Sequence, residues 1–395
     1  MSDVVSADAR AGNAPAASVF VSDENSAGVI RQSFNDLGLT NVQFTTGDVK
    51  TATEAMTRLP SPRLLIVDIS DVEEPMARIR ELAQVCEPGT GVIVLGRNND
   101  IRLYRELRDA GILEYFYKPL VSNVFTHACE AFLTGVERPA NSRSGRLVFV
   151  LGVRGGVGAT TIAVSAAWRL AHAHTRWVML MDLDLGNGDA ALQLDMTPSG
   201  ALAEAFDRPD RVDELFLDRS VIHVAPRLDL LASLEPLNSQ AAVEEAALLS
   251  LIEILLRRYR FVFVDAPATL GRQLKNALHL PSLCVLVSNG SLAAARDVAR
   301  WQREIGPNTT ARSTIHILNQ TSAAGSLPLA EYSRAVGKAP DIIIPHQRDL
   351  GKASILGIKG IQGCTGLQSA LEPLIGQLTG DLERPAPSLL KRLFG

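Results

Sequence analysis

The stretch Val150-Leu-Gly-Val-Arg154-Gly-Gly-Val-Gly-Ala159-Thr-Thr161 decides the fold of the second half of the chain. It follows the apolar, β-prone residues 146–150 and precedes the Ala-rich, helix-prone residues 162–171. A glycine-rich loop between a strand and a helix N-terminus is typical of a phosphate-binding loop, because its backbone N–H groups point inward and the helix dipole favours an anion. The position before Thr160, where such a loop carries the lysine that reaches the β- and γ-phosphates, is Ala159. The sequence therefore predicts a phosphate cradle without its lysine.

The composition is that of a globular protein of two or three domains. The chain has 395 residues, of which 46% are hydrophobic and 21% charged, and its net charge of −4 gives no reason to expect strong nonspecific nucleic-acid binding. It shows no secretory signal and no run of about 20 apolar residues that could span a bilayer. Four widely spaced cysteines exclude a disulfide scaffold and fit a reducing cytoplasm, where we expect a soluble protein. These are Cys86, Cys129, Cys284 and Cys364.

Strand-like and helix-like segments alternate in two series, which predicts an α/β protein with two doubly wound parallel-sheet domains. The first is expected to be flavodoxin-like and to occupy residues 18–135, after a disordered segment at 1–17. Residues 136–146 are predicted to be a linker, 147–380 a P-loop NTPase-like domain, and 381–395 a tail. The clearest strands of the second series are predicted at 147–151, 177–181, 228–231, 261–264, 283–287, 314–318 and 342–344, and a long helix at 241–258.

Acidic and basic side chains follow the strands of the first domain at the edge where parallel sheets bind ligands. Asp23 with Glu24 follows the first strand, Asp68 ends the third, and Lys118 follows the fifth. This pattern resembles a response-regulator receiver domain, and the resemblance implies that Asp68 is the phosphoacceptor, Asp23 a metal-binding acid and Lys118 a phosphate contact.

Two positions depart from the receiver pattern. Gly96 stands where receivers carry a Ser or Thr hydroxyl, and Ser22 replaces one of the paired acids. Without that hydroxyl, the group that normally follows the phosphoryl group is missing. We therefore expect a receiver fold kept for docking or dimerisation. A working phosphoryl switch at Asp68 is the alternative.

Three further motifs lie at strand ends of the second domain. Met181-Asp-Leu-Asp184 follows one β run, Phe261-Val-Phe-Val-Asp265 is an apolar strand ending in an acid, and Ile317-Leu-Asn319 ends another. With the glycine-rich loop, these motifs resemble the ParA/MinD class of deviant-Walker ATPases over about residues 146–378.

The ParA/MinD resemblance implies ATP and Mg²⁺ as cofactors and gives each motif a role. Asp184 matches the catalytic residue that positions the attacking water, Asp265 holds the metal through water, Thr160 ligates the metal and Asn319 reads adenine. Arg154 stands where the class has the signature lysine that reaches the nucleotide of the partner subunit. The predicted nucleotide-binding residues are Arg154, Gly155, Gly156, Val157, Gly158, Ala159, Thr160, Thr161 and Asn319.

Ala159 decides the expected activity. Removing one preorganised group from a transferring phosphate typically costs about 3–4 kcal/mol in the transition state. Binding suffers less, because most of the cradle is backbone and Thr160 remains. We therefore expect weak or conditional binding of ATP with little hydrolysis.

A receiver-like domain fused to a ParA/MinD-like domain resembles the CpaE/TadZ family over residues 18 to about 380. The resemblance implies a cytoplasmic localisation factor for a Flp-type (tight-adherence) pilus, found at a cell pole and peripheral to the inner membrane. It implies a homodimer that recruits the pilus secretion ATPase and inner-membrane platform proteins, and no specific nucleic acid.

The last residues have the pattern of a short interfacial helix, with apolar residues on one face beside two basic ones. The pattern is similar to the membrane-targeting tail of MinD, and the alternatives are a frayed tail or a helix packed on the protein itself. The predicted membrane- or partner-binding residues are Leu389, Leu390, Lys391, Arg392, Leu393 and Phe394.

Two other functions remain open from the sequence. An active ParA/MinD-type ATPase could position DNA or other cargo, although Ala159 and the lack of a basic stripe oppose it. A phosphorylation-regulated output protein would need a working switch at Asp68.

Overall fold

The computed structural model describes residues 15–134, 145–174, 176–236, 238–239, 241–271, 274–321, 325–347 and 357–379. The chain divides into two compact units, and the first division in sequence falls between Gly145 and Arg146. Each unit is an α/β domain. The first sheet is entirely parallel and the second is mixed.

The first unit is a five-stranded parallel sheet in the order β2-β1-β3-β4-β5, which is the flavodoxin-like order. Separate hydrophobic clusters cover the two faces of this sheet. Its strands are β1 (Ala17–Val21), β2 (Val42–Thr46), β3 (Leu64–Asp68), β4 (Gly91–Gly96) and β5 (Glu114–Tyr117). Its helices are α1 (Glu24–Asp36), α2 (Val49–Arg58), α3 (Pro75–Val85), α4 (Ile101–Asp109) and α5 (Ser122–Leu133).

Aspartates begin three of these helices, because each side chain accepts a hydrogen bond from an otherwise unpaired N–H of the first turn. Asp23 caps α1, Asp48 caps α2 and Asp100 caps α4. The cap at Asp23 fixes the direction of this side chain directly after β1, so one residue of the predicted site is oriented by local structure.

The second unit is an eight-stranded sheet in the order β13-β12-β11-β6-β10-β7-β9-β8, and a large apolar cluster packs on one face of it. Its strands are β6 (Arg146–Gly152), β7 (Val178–Asp182), β8 (Ile222–Ala225), β9 (Leu228–Leu231), β10 (Phe261–Ala266), β11 (Ser282–Ser288), β12 (Ser313–Thr321) and β13 (Ile342–Pro345).

Twelve described α-helices accompany this sheet, and a short 3₁₀ turn spans Pro209–Arg211. They are α6 (Ala159–His172), α7 (Ala190–Gln193), α8 (Ala201–Asp207), α9 (Glu214–Ser220), α10 (Glu245–Arg258), α11 (Ala268–Gly271), α12 (Lys275–Leu278), α13 (Leu292–Ile305), α14 (Leu329–Val336), α15 (Gly357–Gly363), α16 (Thr365–Ala370) and α17 (Glu372–Thr379).

The predicted fold class, two α/β domains built on parallel sheets, is confirmed, and the second sheet departs from parallel pairing at one edge. Strand β8 is antiparallel to β9, and only Pro226 and Arg227 separate the two strands. Such a short connection can only reverse the chain, since a parallel pair needs a crossover of about a dozen residues. The second sheet is therefore mixed.

Other boundaries differ by a few residues. The long helix α10 begins at Glu245 instead of residue 241, and β1 begins at Ala17, inside the segment predicted to be disordered. Residues 1–14, most of the predicted linker and the predicted tail helix at 389–394 lie outside the described residues. Among the helices that are described, none is both long and apolar enough to cross a membrane.

Candidate functional site

The glycine-rich loop joins β6 to α6 at the carboxyl edge of the second sheet. Gly156 and Gly158 have φ values of 75° and 84°, which favour glycine because other L residues are strained there. The N–H of Val153 donates to the carbonyl of Val287 at 2.9 Å, which ties the loop to β11. The α6 N-terminus thus begins at Ala159 directly after a preformed loop, as the sequence predicts.

Asn319 supports this loop from within the protein. Its Nδ2 donates to the carbonyl of Val157 at 2.8 Å, and its Oδ1 accepts the N–H of Gln320 at 2.9 Å. A Cβ on Gly158 would lie 2.5 Å from the same Nδ2, so only glycine permits this approach. The amide nitrogen and the amide oxygen of Asn319, which was predicted to contact adenine, therefore both form hydrogen bonds within the protein. In this structure the side chain holds the loop in place.

Two buried carboxylates lie side by side below the loop. Asp265 on β10 stands opposite Asp182 on β7 in the strand register, and both side chains are buried. Burial raises the pKa of Asp265, and repulsion from Asp182 raises it further, against a hydrogen bond from Thr160. Burial also raises the pKa of Asp182, against hydrogen bonds from the N–H groups of Ala190 and Asp184.

Asp182 was missed by the sequence prediction, which singled out Asp184. The available signal was its position as the last residue of a buried strand, two residues before Asp184. Asp184 instead lies in the following loop, where its Oδ1 accepts the N–H of Asn187 at 3.0 Å. Gly188 closes this loop tightly, since a Cβ there would lie 2.4 Å from Asp182 Oδ2.

The residues present fit a magnesium ion held together with phosphate and water. The Thr160 hydroxyl and the Asp265 carboxylate are joined by a hydrogen bond, and oxygen donors of this kind suit Mg²⁺. Within the described part of the chain, no basic side chain forms an ion pair with Asp182 or Asp265, and no group of three or more ligating side chains could hold a metal alone. A cation here would therefore depend on Thr160, Asp265 and a bound phosphate.

Arg154 turns toward α13. Its Nη1 lies 2.7 Å from Asp297 Oδ2, and 44% of its side chain is exposed. Asp297 also pairs with Arg296 and Arg300. Burial raises the pKa of the Asp297 carboxyl, but the guanidinium groups of Arg296 and Arg154 outweigh it and lower the pKa. The guanidinium of Arg154, predicted to reach the nucleotide of a partner subunit, is thus paired with an acid of its own chain.

The structure brings Asp23, Asp68 and Lys118 of the first unit close together. Lys118 Nζ lies 2.5 Å from Asp68 Oδ2 and 2.5 Å from Asp23 Oδ2. Ser22 donates its hydroxyl to Asp68 Oδ2 at 2.6 Å, and Ser70 donates its hydroxyl to Oδ1 at 2.5 Å. Burial raises the pKa of Asp68, but these hydrogen bonds outweigh it and lower the pKa to about 2.

A tyrosine occupies the place of the missing switch hydroxyl. A Cβ on Gly96 would lie 2.5 Å from the Tyr115 hydroxyl and 3.0 Å from its ring. That hydroxyl donates to the carbonyl of Asn98 at 2.7 Å, which holds the ring over Gly96. Tyr115 therefore fills the space that a Ser or Thr side chain at position 96 would occupy. The sequence prediction did not identify this tyrosine.

Comparison with known proteins gives one family model and several similar proteins. A family model described as cellulose biosynthesis protein BcsQ matches residues 146–305. Septum site-determining protein MinD from Synechocystis is 26% identical over 159 residues, or 39% of this chain and 57% of its own length. The chain spans about half the length of the curated relatives it matches.

Solved structures add two further similarities. A ParA family ATPase from Chlorobium tepidum has a TM-score of 0.50 and 24% identity, covering 60% of this chain and 98% of that one. The pilus assembly protein CpaE from Caulobacter crescentus is 31% identical with a TM-score of 0.28, covering 29% of this chain and 96% of that one. The second unit is thus an α/β domain with a glycine-rich loop, similar in sequence to MinD proteins and in fold to a ParA family ATPase.

Proposed function

We propose that this protein is a localisation and assembly factor for a Flp-type pilus, acting as a ParA/MinD-like scaffold with little ATPase activity. The observation that carries the proposal is Ala159 in an otherwise intact cradle, on a chain that also carries a receiver-like unit. The 31% identity to the Caulobacter pilus assembly protein CpaE, over 29% of this chain, supports the pilus role.

The geometry of the second unit favours binding over turnover. The loop N–H groups and the α6 N-terminus hold phosphate, and Thr160 with Asp265 would hold Mg²⁺, which neutralises phosphate charge when bound. Lysine at position 159 would stabilise charge that develops during transfer, and its loss costs about 3–4 kcal/mol in the transition state. Nucleotide then serves as an assembly signal, with hydrolysis slow.

The expected partners follow from this role. A second copy of the chain forms the homodimer, and the secretion ATPase and inner-membrane platform of the pilus are recruited to it. Residues 389–394, outside the described part, would add contact with the inner membrane, and we place the protein at a cell pole in the cytoplasm.

The receiver-like unit acts in this proposal as a docking module. Asp68 has only 1% of its side chain exposed and accepts hydrogen bonds on both oxygens. A phosphodonor would have to displace Lys118, Ser22 or Ser70 before reaching it. We therefore expect no stable aspartyl phosphate at Asp68.

Lysine substitution at position 159 tests the biochemical half of the proposal. The wild type should bind Mg-ATP weakly and release phosphate slowly, whereas Ala159→Lys should raise the rate by on the order of 10²-fold. Titration calorimetry and a phosphate-release assay measure both quantities. Ala159→Met is the matched control, since it has similar length without charge. Wild-type turnover at ordinary ATPase rates would favour an active, cargo-positioning ATPase instead.

A chromosomal deletion tests the cellular half. The bacterium lacking this gene should lose surface pili, and a wild-type copy carrying a fluorescent fusion should restore them and form a polar focus. Pili are counted by electron microscopy of sheared and intact cells. Normal piliation in the deletion strain would contradict the pilus role whatever the ATPase rate.

A further inference from the structure

Helix α13 presents a stripe of arginines to solvent. Arg296, Arg300 and Arg303 follow one another at spacings of four and three residues, which places them on one helix face. All three are exposed, with 64% of the Arg296 side chain and 56% of the Arg300 side chain accessible. The opposite face is buried through Val298 and Trp301.

Two cations from other elements extend the stripe. Arg154 from the glycine-rich loop reaches Asp297, and Lys275 from α12 lies 3.0 Å from Glu304. We call the set Arg154, Lys275, Arg296, Arg300 and Arg303 the arginine ridge. Its five cations exceed the two acids among them by three charges, on a chain whose net charge is −4. The local charge of the ridge is therefore positive, although the net charge of the chain is negative.

Two depressions lie along the ridge between α12 and α13. The first has a volume of about 270 Å³ and is lined by Lys275, Asp297, Arg300, Trp301 and Glu304. The second has a volume of about 510 Å³, and its lining includes Lys275, His279, Leu280, Pro281, Arg303 and Glu304. Each combines cationic groups with apolar surface, so charge and a hydrophobic contact are offered together.

We propose that the arginine ridge and its two depressions bind an acidic, amphipathic segment of a partner protein. Carboxylates of the segment pair with Arg300 and Arg303, because the planar guanidinium matches a carboxylate with two parallel hydrogen bonds. An apolar side chain of the segment rests against Leu280 and Pro281. The inference rests on the proposed role as a recruiting scaffold and names the chemistry of one recruited partner.

The layout of charge favours a protein partner over nucleic acid. Asp297 and Glu304 lie within the ridge and repel a continuous phosphate backbone, whereas they leave room for carboxylates spaced by a helix or a turn. From Arg296 to Arg303 the helix rises only about 10 Å, enough for a few carboxylates but short for the six to ten phosphate contacts typical of a DNA-binding protein.

Peptide selection on the full chain tests this surface while the partner protein is still unidentified. A random 12-residue peptide library is selected against the wild type, and enriched peptides are then measured by fluorescence anisotropy. We expect enrichment of peptides that combine at least two acids with an apolar residue, with affinity at least tenfold weaker for Arg300→Gln/Arg303→Gln. The control Arg102→Gln/Arg105→Gln removes the same charge from the exposed face of α4 and should bind as the wild type does.

Three results would overturn the inference. These are selected peptides without an acidic bias, equal affinity for both double variants, and tighter binding of a labelled 20-base-pair DNA duplex that Arg300→Gln/Arg303→Gln abolishes. Each concerns this surface alone, since pilus assembly and ATP turnover are measured separately. If the peptide tests contradict the inference but the deletion strain loses its surface pili, the inference is wrong and the proposed function is unaffected.

Discussion

The Asp68 carboxylate accepts five hydrogen bonds, from Lys118 and from the N–H and hydroxyl of both Ser22 and Ser70. Two carboxylate oxygens offer about four lone-pair sites, so the group is saturated by its own protein. These hydrogen bonds favour the charged form of the group. Asp68 is therefore held as a buried carboxylate in an ion pair with Lys118.

Asp68 should therefore contribute to stability in a pH-dependent way. Its pKa is about 2 when folded against 3.8 for the free group, so the contribution is present above pH 3.8 and is lost as pH falls toward 2. The shift corresponds to about 2 kcal/mol at neutral pH. Denaturant unfolding of wild type and Asp68→Asn should differ by at least this much at pH 7 and converge near pH 2.

The exposed Asp36 provides the control for this measurement. Asp36→Asn should leave the free energy of unfolding nearly unchanged across the same range, because its carboxyl is solvated in both states. A difference between wild type and Asp68→Asn that stays constant from pH 7 to pH 2 would contradict the electrostatic explanation.

The pairing of neighbouring strands decides which side chains surround each site residue. Strands β4 and β5 pair with Gly96 opposite Tyr117, and this register brings the Tyr115 ring over the glycine. In the second unit, the pairing of β7 with β10 places Asp182 beside Asp265. Periodicity predicts that these strands exist, whereas strand register decides which side chains meet.

Restoring a receiver-type hydroxyl at position 96 should fail because of the element beside it. The β-carbon of Gly96→Thr would meet the Tyr115 ring, and overpacking of this kind costs about 1–3 kcal/mol. We expect thermal or denaturant unfolding to show that loss. The double variant Gly96→Thr/Tyr115→Ala should be less sensitive to the threonine than the single variant, and equal sensitivity in the two backgrounds would argue against the steric cause.

The whole molecule contains separate hydrophobic cores. Clusters around Ile66 and Val67 belong to the first unit, and the cluster around Leu180 and Phe263 belongs to the second. Each unit has its own sheet and its own candidate site. Ligand binding and local substitutions should therefore affect the stability of one unit at a time.

Calorimetric unfolding of the full chain should accordingly show two transitions. Mg-ATP at 100 times its Kd should stabilise the transition of the second unit by about 2.7 kcal/mol, and Thr160→Ala should abolish the shift. Asp68→Asn should lower only the other transition, which assigns the two. A single transition that responds to both changes would show that the units unfold together.

Much of the fold was predictable because its signals are local. The β-prone runs, the glycine-rich loop and the strand-end acids lie within short segments, and the predicted strands of the second sheet match the observed ones within a few residues. Strand β8 was not predicted, and only the connection Pro226-Arg227 separates it from β9. The prediction began helix α10 at residue 241 because residues 241–244 have a composition like that of the helix. In the structure these four residues are not helical.

The sequence by itself determined the two α/β units, the phosphate cradle with Ala159 and the acids at the strand ends, since each depends on residues close together in the chain. Only the tertiary structure decided how those groups are used. Asn319 braces Val157 across 162 residues, Arg154 meets Asp297 across 143, and Lys118 joins Asp68 across 50. No local pattern carries such pairings, because the sheet order and the packing of α13 bring together side chains that are distant in the chain.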